Sequence, residues 1–381
     1  MRVLIAPDKF KGTLAADAVA RAIAQGWRRI RPKDDLVLLP ISDGGDGFGA
    51  VLGGLLGARN LAVATVNALG RPHRSRIGWV EKSRLALIEA AQSNGLALLP
   101  AGNHHPFQRD TLGVARLIEA ARRKGARHMI IGVGGSATND GGFGMARGLG
   151  WRFLDSKGRS IDTWTGLDRL ARLEGPPEPE PEREPASRRV PCRYTVATDV
   201  ENPLLGPEGA TRVYGPQKGL VRADLAVAEK CLRRLARVVR DQLGFDSATP
   251  GSGAAGGLGF GLMAFLGAER RLGFDVFAEY AGLERHLRNA DLVITGEGSF
   301  DRQSVMGKGV GQWIRRCADR KRPVLVLAGR VALESPESLP PGVTARGLCD
   351  ITSPAEAMER PAFWLRRLAA GAASDGIGLG R

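Results

Sequence analysis

A chain of 381 residues with 43% hydrophobic and 25% charged residues is long enough for two ordinary soluble domains, each with its own core. Its four cysteines show no CxxC pair, its five histidines form no HExxH, and no apolar run reaches the ~20 residues of a membrane span, which removes zinc, disulfide-framework and membrane-spanning classes. The formal net charge of +15 raises nucleic acid as a partner, but the basic residues are dispersed over helical patterns at 28–33, 122–127, 233–240 and 315–322, and no aromatic stripe accompanies them; we expect no nucleic-acid partner.

In chain order, residues 2–6 form a short apolar strand, and Pro7-Asp8-Lys9-Phe10-Lys11-Gly12 is the loop at its carboxyl end. Residues 3–7 are too short for a signal segment, and the scattered thiols of Cys192, Cys231, Cys317 and Cys349 read as reduced, so a cytoplasmic location is expected. Val19, Ile23 and Trp27 then recur at helical spacing. Residues 36–41 repeat the pattern, a strand followed by Ser42-Asp43-Gly44-Gly45-Asp46-Gly47 and a second helix. Two strand–loop–helix units in succession predict a doubly wound parallel sheet. In such sheets ligands bind beyond the carboxyl ends of strands, where Asp8, Lys9, Lys11, Asp43 and Asp46 fall. One such aspartate is an ordinary helix cap; two polar loops at one edge exceed what capping requires.

Residues 61–66 and 76–80 alternate like exposed strands, with a third strand at 86–90. After a helix at 113–124 comes the stretch the chain is organised around, residues 129–142, MIIGVGGSATNDGG. An apolar strand ends there in a polar glycine loop that opens a helix at 143–149. Gly134, Gly135, Ser136, Thr138, Asn139 and Asp140 combine close backbone approach with hydrogen-bonding groups that fill no core, the chemistry of a loop that holds an anion. Taken alone, such a turn serves packing as readily as binding.

Residues 175–189, GPPEPEPEREPASRR, cannot build a core and read as a surface insertion. A strand at 193–197 ends in Asp199-Val200-Glu201-Asn202, a long helix spans 222–243, and GSGAAGGLGFG at 251–261 opens another. Gly251, Gly253 and Gly256 make a GxGxxG, but residues 244–250 before it are a polar turn, not the strand a dinucleotide fingerprint needs. Gly253, Gly256 and Gly257 therefore fit a close-packed helix start or an approach to phosphate. Strand character returns at 290–295, leading into Gly296-Glu297-Gly298-Ser299-Phe300-Asp301 and then Gly307-Lys308-Gly309, with further strands at 323–329 and 343–350. No GxxxxGK[ST] occurs, which excludes a P-loop. The expected fold is α/β in two domains: a split, doubly wound parallel sheet from residues 1–65 and 286–381, with a second α/β domain, 66–285, inserted.

Eight blocks along nearly the whole chain resemble the class I glycerate kinases of bacteria: IAPDKFKGTL at 5–14, LPISDGGDG at 39–47, GLALLP at 95–100, GVGGSATNDGG at 132–142, DVENPLLGPEGA at 199–210, GPQKG at 215–219, GSGAAGGLG at 251–259 and DLVITGEGSFDRQSVMGK at 291–308. The resemblance implies ATP-dependent phosphorylation of D-glycerate, in most members at the 2-hydroxyl, on a flavodoxin-like domain plus a second α/β domain. Phe48, Ala115-Arg116 and Ser299-Phe300 depart from the family pattern, which bears on substrate preference and turnover more than on reaction class.

Phosphoryl transfer rests on positioning and charge neutralisation. The loop at 134–140, Gly253, Gly256, Gly257 and Lys308 are the candidates for holding ATP. Asp43, Asp46, Glu297 and Asp301 are candidate oxygen ligands for Mg²⁺. Lys9 and Lys11 can neutralise ATP or the glycerate carboxylate, and Asp199 or Asp301 can accept the hydroxyl proton. The reaction is expected in a cleft between the domains of a monomer or homodimer. Two rivals are an NAD-dependent or nucleotide-sugar enzyme, which needs a strand before Gly251, and a basic binding protein, which does not account for carboxylates clustered in glycine loops.

Overall fold

The strands follow the apolar runs. Along the chain they are β1 (Arg2–Ile5), β2 (Asp35–Leu38), β3 (Arg59–Val66), β4 (Pro72–Val80), β5 (Leu85–Glu89), β6 (His128–Gly132), β7 (Arg152–Asp155), β8 (Leu170–Glu174), β9 (Arg193–Ala197), β10 (Glu269–Arg271), β11 (Leu292–Thr295), β12 (Ser299–Asp301), β13 (Val324–Ala328), β14 (Arg330–Ala332) and β15 (Val343–Gly347). The computed structural model describes residues 1–42, 47–100, 102, 104–177, 191–305, 309–333 and 339–376. Asp43, Asp46, Lys308 and residues 178–189 of the proline-rich stretch lie outside the described residues.

The chain divides into two compact units, residues 1–43 with 274–381 and residues 44–273. In the first, five parallel strands run in the order β2-β1-β11-β13-β15. Counted within the unit this is the 2-1-3-4-5 order of flavodoxin-like sheets, with its switch point between β1 and β11. Val3, Ile5, Leu292, Ile294, Leu325 and Leu327 pack with the helices Ala16–Ile30 and Pro361–Ser374. The alternate residues Leu4, Val293 and Val326 are buried too, which is why these strands read as unbroken apolar runs. Val19, Ile23 and Trp27 form the buried stripe of the first helix, with Asp17 in its first turn and Arg28 and Arg29 in its last, complementing the helix dipole.

The second unit holds a mixed sheet in the order β10-β9-β6-β5-β4-β3, antiparallel from β3 to β5 and parallel from β5 to β10. β6 is buried along its whole length. Its Gly132 is the register partner of Ala197 on β9, so the chain leaves both strands at the same sheet edge.

Both unit boundaries differ from those expected at 65/66 and 285/286. β3 pairs along its length with β4, and the helix Phe48–Leu55 packs on β4 and β5, so both go with the inserted unit. Phe274 lies against Trp313 of the helix Val310–Asp319, 6.4 Å between ring centroids, which draws the helix Gly273–Tyr280 to the other unit. No strand precedes Gly251; a turn does, so the dinucleotide alternative loses its structural requirement. Among the described residues no helix is long and apolar enough to cross a membrane.

Candidate functional site

The loop after β6 is fastened from inside. Asp140 is 0% exposed; its Oδ2 accepts from the Thr111 amide (2.9 Å), the Thr111 hydroxyl (2.8 Å) and the Gly144 amide (2.9 Å), and its Oδ1 accepts from the Gly142 amide (3.2 Å). The carboxylate thereby ties the start of the helix Leu112–Lys124 to that of Phe143–Gly148. Burial, reinforced by neighbouring Asp110, lifts its pKa to about 6 against the pull of those hydrogen bonds. Thr138 accepts at Oγ1 from Asn94 Nδ2 (3.2 Å), and Asn139 Nδ2 donates to Thr211 Oγ1 (3.0 Å). Thr138, Asn139 and Asp140 thus build the loop from buried positions, whereas Gly134 and Gly135 form its open tip. The amides of Gly134, Gly135 and Ser136 donate to nothing among the described residues.

Two buried cations stand behind this loop, and neither was singled out from the sequence. Lys218 is 4% exposed, and its Nζ donates to Ser136 Oγ (3.0 Å) and to the Thr138 carbonyl (2.7 Å). Burial lowers its pKa to about 7, with Asp140 opposing that shift and Arg109 adding to it. Arg109, 6% exposed, donates to the carbonyls of Lys218 (2.7 Å), Ala137 (3.4 Å) and His104. Among the described residues no carboxylate forms an ion pair with either cation. Arg109 Nε, Asn94 Oδ1 and Asn139 Oδ1 are buried there without a hydrogen-bond partner among the described residues. The only trace of Lys218 in the sequence is its place in the GPQKG block.

The second glycine stretch serves close packing. A Cβ at Gly256 would lie 2.0 Å from the Thr138 carbonyl oxygen, one at Gly257 2.7 Å from Gly141 Cα, and one at Gly253 2.3 Å from the Pro203 carbonyl oxygen. The Gly141 amide donates to the Gly256 carbonyl (3.0 Å). Residues 255–257 are left-handed, so regular helix begins only at Leu258. These glycines let the two loops dock backbone to backbone. Asp199 follows β9 at the edge where the 133–142 loop leaves β6.

The first unit carries its candidates at its own switch point. The Asp8 amide donates to the Gly296 carbonyl (2.8 Å), which sets the loop after β1 beside Gly296-Glu297 after β11. Asp8, Lys9 and Glu297 are half-buried and Lys11 is exposed. A Cβ at Gly298 would approach the Lys11 amide nitrogen to 3.4 Å. Asp301 ends β12, and its Oδ1 accepts from the Ser304 amide (3.1 Å), so it caps the helical turn Arg302–Val305. Among the described residues no three carboxylate, imidazole or thiol side chains come together as a metal site. Phe48 and Phe300, two of the departures from the family pattern, are fully buried packing residues.

A split flavodoxin-like sheet carrying an inserted mixed sheet is the framework of a two-part α/β enzyme. The chain belongs to the glycerate kinase family, whose profile matches residues 3–375. It is 39% identical over 337 residues to the glycerate kinase of Bacillus subtilis (strain 168), covering 88% of this chain and 86% of that one. It is likewise 39% identical over 341 residues to the glycerate 2-kinase of Escherichia coli (strain K12), covering 86% and 85%. A crystal structure of a Salmonella typhimurium LT2 protein provisionally assigned as glycerate kinase 2 superposes with a TM-score of 0.81 at 35% identity, covering 98% of each chain.

Proposed function

We propose that this protein is a cytoplasmic, ATP-dependent kinase that transfers a phosphoryl group in line to the 2-hydroxyl of D-glycerate, giving 2-phosphoglycerate. Family membership supports the reaction class. The observation that carries the site is the row of undonated amides at Gly134, Gly135 and Ser136, at a strand end, with the buried side chains of Arg109 and Lys218 behind them. Backbone N–H groups so arranged hold phosphate oxygens.

Lys9 and Lys11, on the loop after β1, would meet the carboxylate of glycerate or the charge of the nucleotide. Asp199 is the better base for the hydroxyl proton, because Asp301 already caps a helical turn. Mg²⁺ commonly takes one or two protein carboxylates plus phosphate oxygens. Glu297 at the switch point fits that need without a three-residue cluster, and Asp43, Asp46 and Asp301 remain its candidate companions. Bound with the nucleotide, the ion supplies charge neutralisation on the phosphates. The test is ATP consumption by the purified protein over D-glycerate, hydroxypyruvate, tartronate and other small hydroxy acids. Turnover that requires both D-glycerate, or a close analogue, and Mg²⁺ is expected; a flat response with tight NAD binding instead would sink the kinase reading.

A further inference from the structure

Lys218 and Arg109 are an anomaly that folding alone does not explain. Long cationic side chains are almost never this buried unless a carboxylate accompanies them. Here the described residues supply none at ion-pair distance. Among the described residues the Lys218 amine makes two hydrogen bonds, to Ser136 Oγ and the Thr138 carbonyl, which a neutral amine can supply with its two N–H groups. Because Ser136 Oγ accepts from Lys218, its own proton is directed elsewhere. Ser136 is itself buried and directly follows the open tip Gly134-Gly135; the amides of all three donate to nothing among the described residues.

We propose that Lys218 is the positioning residue of the phosphate loop: it holds Ser136 as a hydroxyl donor toward a bound phosphate group and takes up a proton from solvent when that anion docks. The balance is R–NH₂ plus H⁺ giving R–NH₃⁺, with no other bond made or broken. The inference rests on the phosphate-binding reading of the 134–136 tip. An amine lowered to about 7 is poised for that change, since an approaching anion favours its charged form. The charged groups acting on it are Asp140 on the loop, with Asp110 behind Asp140, and Arg109 on the preceding segment, whose guanidinium donates to the Lys218 carbonyl.

The experiment is calorimetric titration of the full protein with MgADP at pH 8, in two phosphate-free buffers of different ionisation enthalpy. MgADP is fully ionised at that pH, so any proton taken up enters the protein. Uptake approaching one proton per ADP is expected at pH 8 and little at pH 6. Lys218→Met should lose the uptake and weaken MgADP binding on the order of 10–100-fold, as for a lost hydrogen-bonded charge. Should Lys218→Met fail to fold, the wild-type pH series and Lys218→Arg decide, the arginine variant binding without uptake. Tight MgADP binding with no uptake, or uptake that persists in Lys218→Met, would overturn the proposal while leaving the kinase reading intact. No binding of MgADP at all would overturn the nucleotide reading and this inference with it.

Discussion

Asp140 shows how much a single residue decides. Its carboxyl is raised from 3.8 to about 6, so between those values the folded state holds a proton that the unfolded chain has released. The stabilisation this gives is fully present below pH 3.8 and is lost as pH rises through about 6. Melting curves of the wild type across that window should therefore carry a falling component, and Asp140→Asn should remove it. The substitution should also cost about 1–3 kcal/mol at neutral pH, because an amide nitrogen replaces one acceptor facing buried N–H donors. An Asp140→Asn protein with the wild-type slope would show that another group titrates there. The sequence made the polar loop legible as chemistry but not the direction of its side chains. Thr138, Asn139 and Asp140 read as ligands because they are polar; Gly135, Gly141 and Gly142, all at positive φ, turn the chain around them, and the three lie fully buried. Lys218 was beyond sequence reasoning for a related reason: it reaches the loop across 80 residues of chain.

At the scale of elements, the decisive contact is that between the two glycine stretches. Gly256 and Gly267 both have left-handed φ, +69° and +63°, and bound the same helical segment. They differ in surroundings: a Cβ at Gly256 meets the Thr138 carbonyl at 2.0 Å, and one at Gly267 meets nothing within 4 Å. Gly267→Ala should cost only the local strain of about 1–2 kcal/mol. Gly256→Ala adds an overpacking term of about 1–3 kcal/mol and must push the loop after β6 away, so activity should fall with stability if that loop holds the phosphate as proposed. Denaturant unfolding of the two variants side by side measures the difference; equal losses would mean that the loops are not docked as described. Strands with unbroken apolar runs, such as β6 and β13, were plain in the sequence. β10, β12 and β14 were not, because ERR, SFD and RVA carry too little apolar periodicity to register. The helix Phe48–Leu55 was misassigned by proximity: it follows β2 in the chain, but packs on β4 and β5.

For the whole molecule, length alone predicted two domains and the return of strand character after residue 290 predicted a split sheet. What the sequence could not locate was where the chain passes from one core to the other, since that depends on partners rather than on local pattern. The hydrophobic clusters answer it. One draws only on residues within 1–43 and 274–381. Two others, one under the mixed sheet and one around Phe143, Trp164 and Phe260, draw only on residues within 44–273. A segment that closes its own sheet and fills its own cores has the ingredients of independent folding. We therefore expect the fragment 44–273 to fold alone, with a single cooperative thermal transition and dispersed amide resonances, and to retain the falling pH component of Asp140. A fragment cut at 66–285 should fare worse, because it loses β3 and with it the partner of β4, and the buried faces of Ile77 and Trp79 lose their cover. If 44–273 melts without cooperativity and binds a hydrophobic dye while 66–285 behaves well, the boundaries drawn from the cores are wrong and those drawn from the sequence are right.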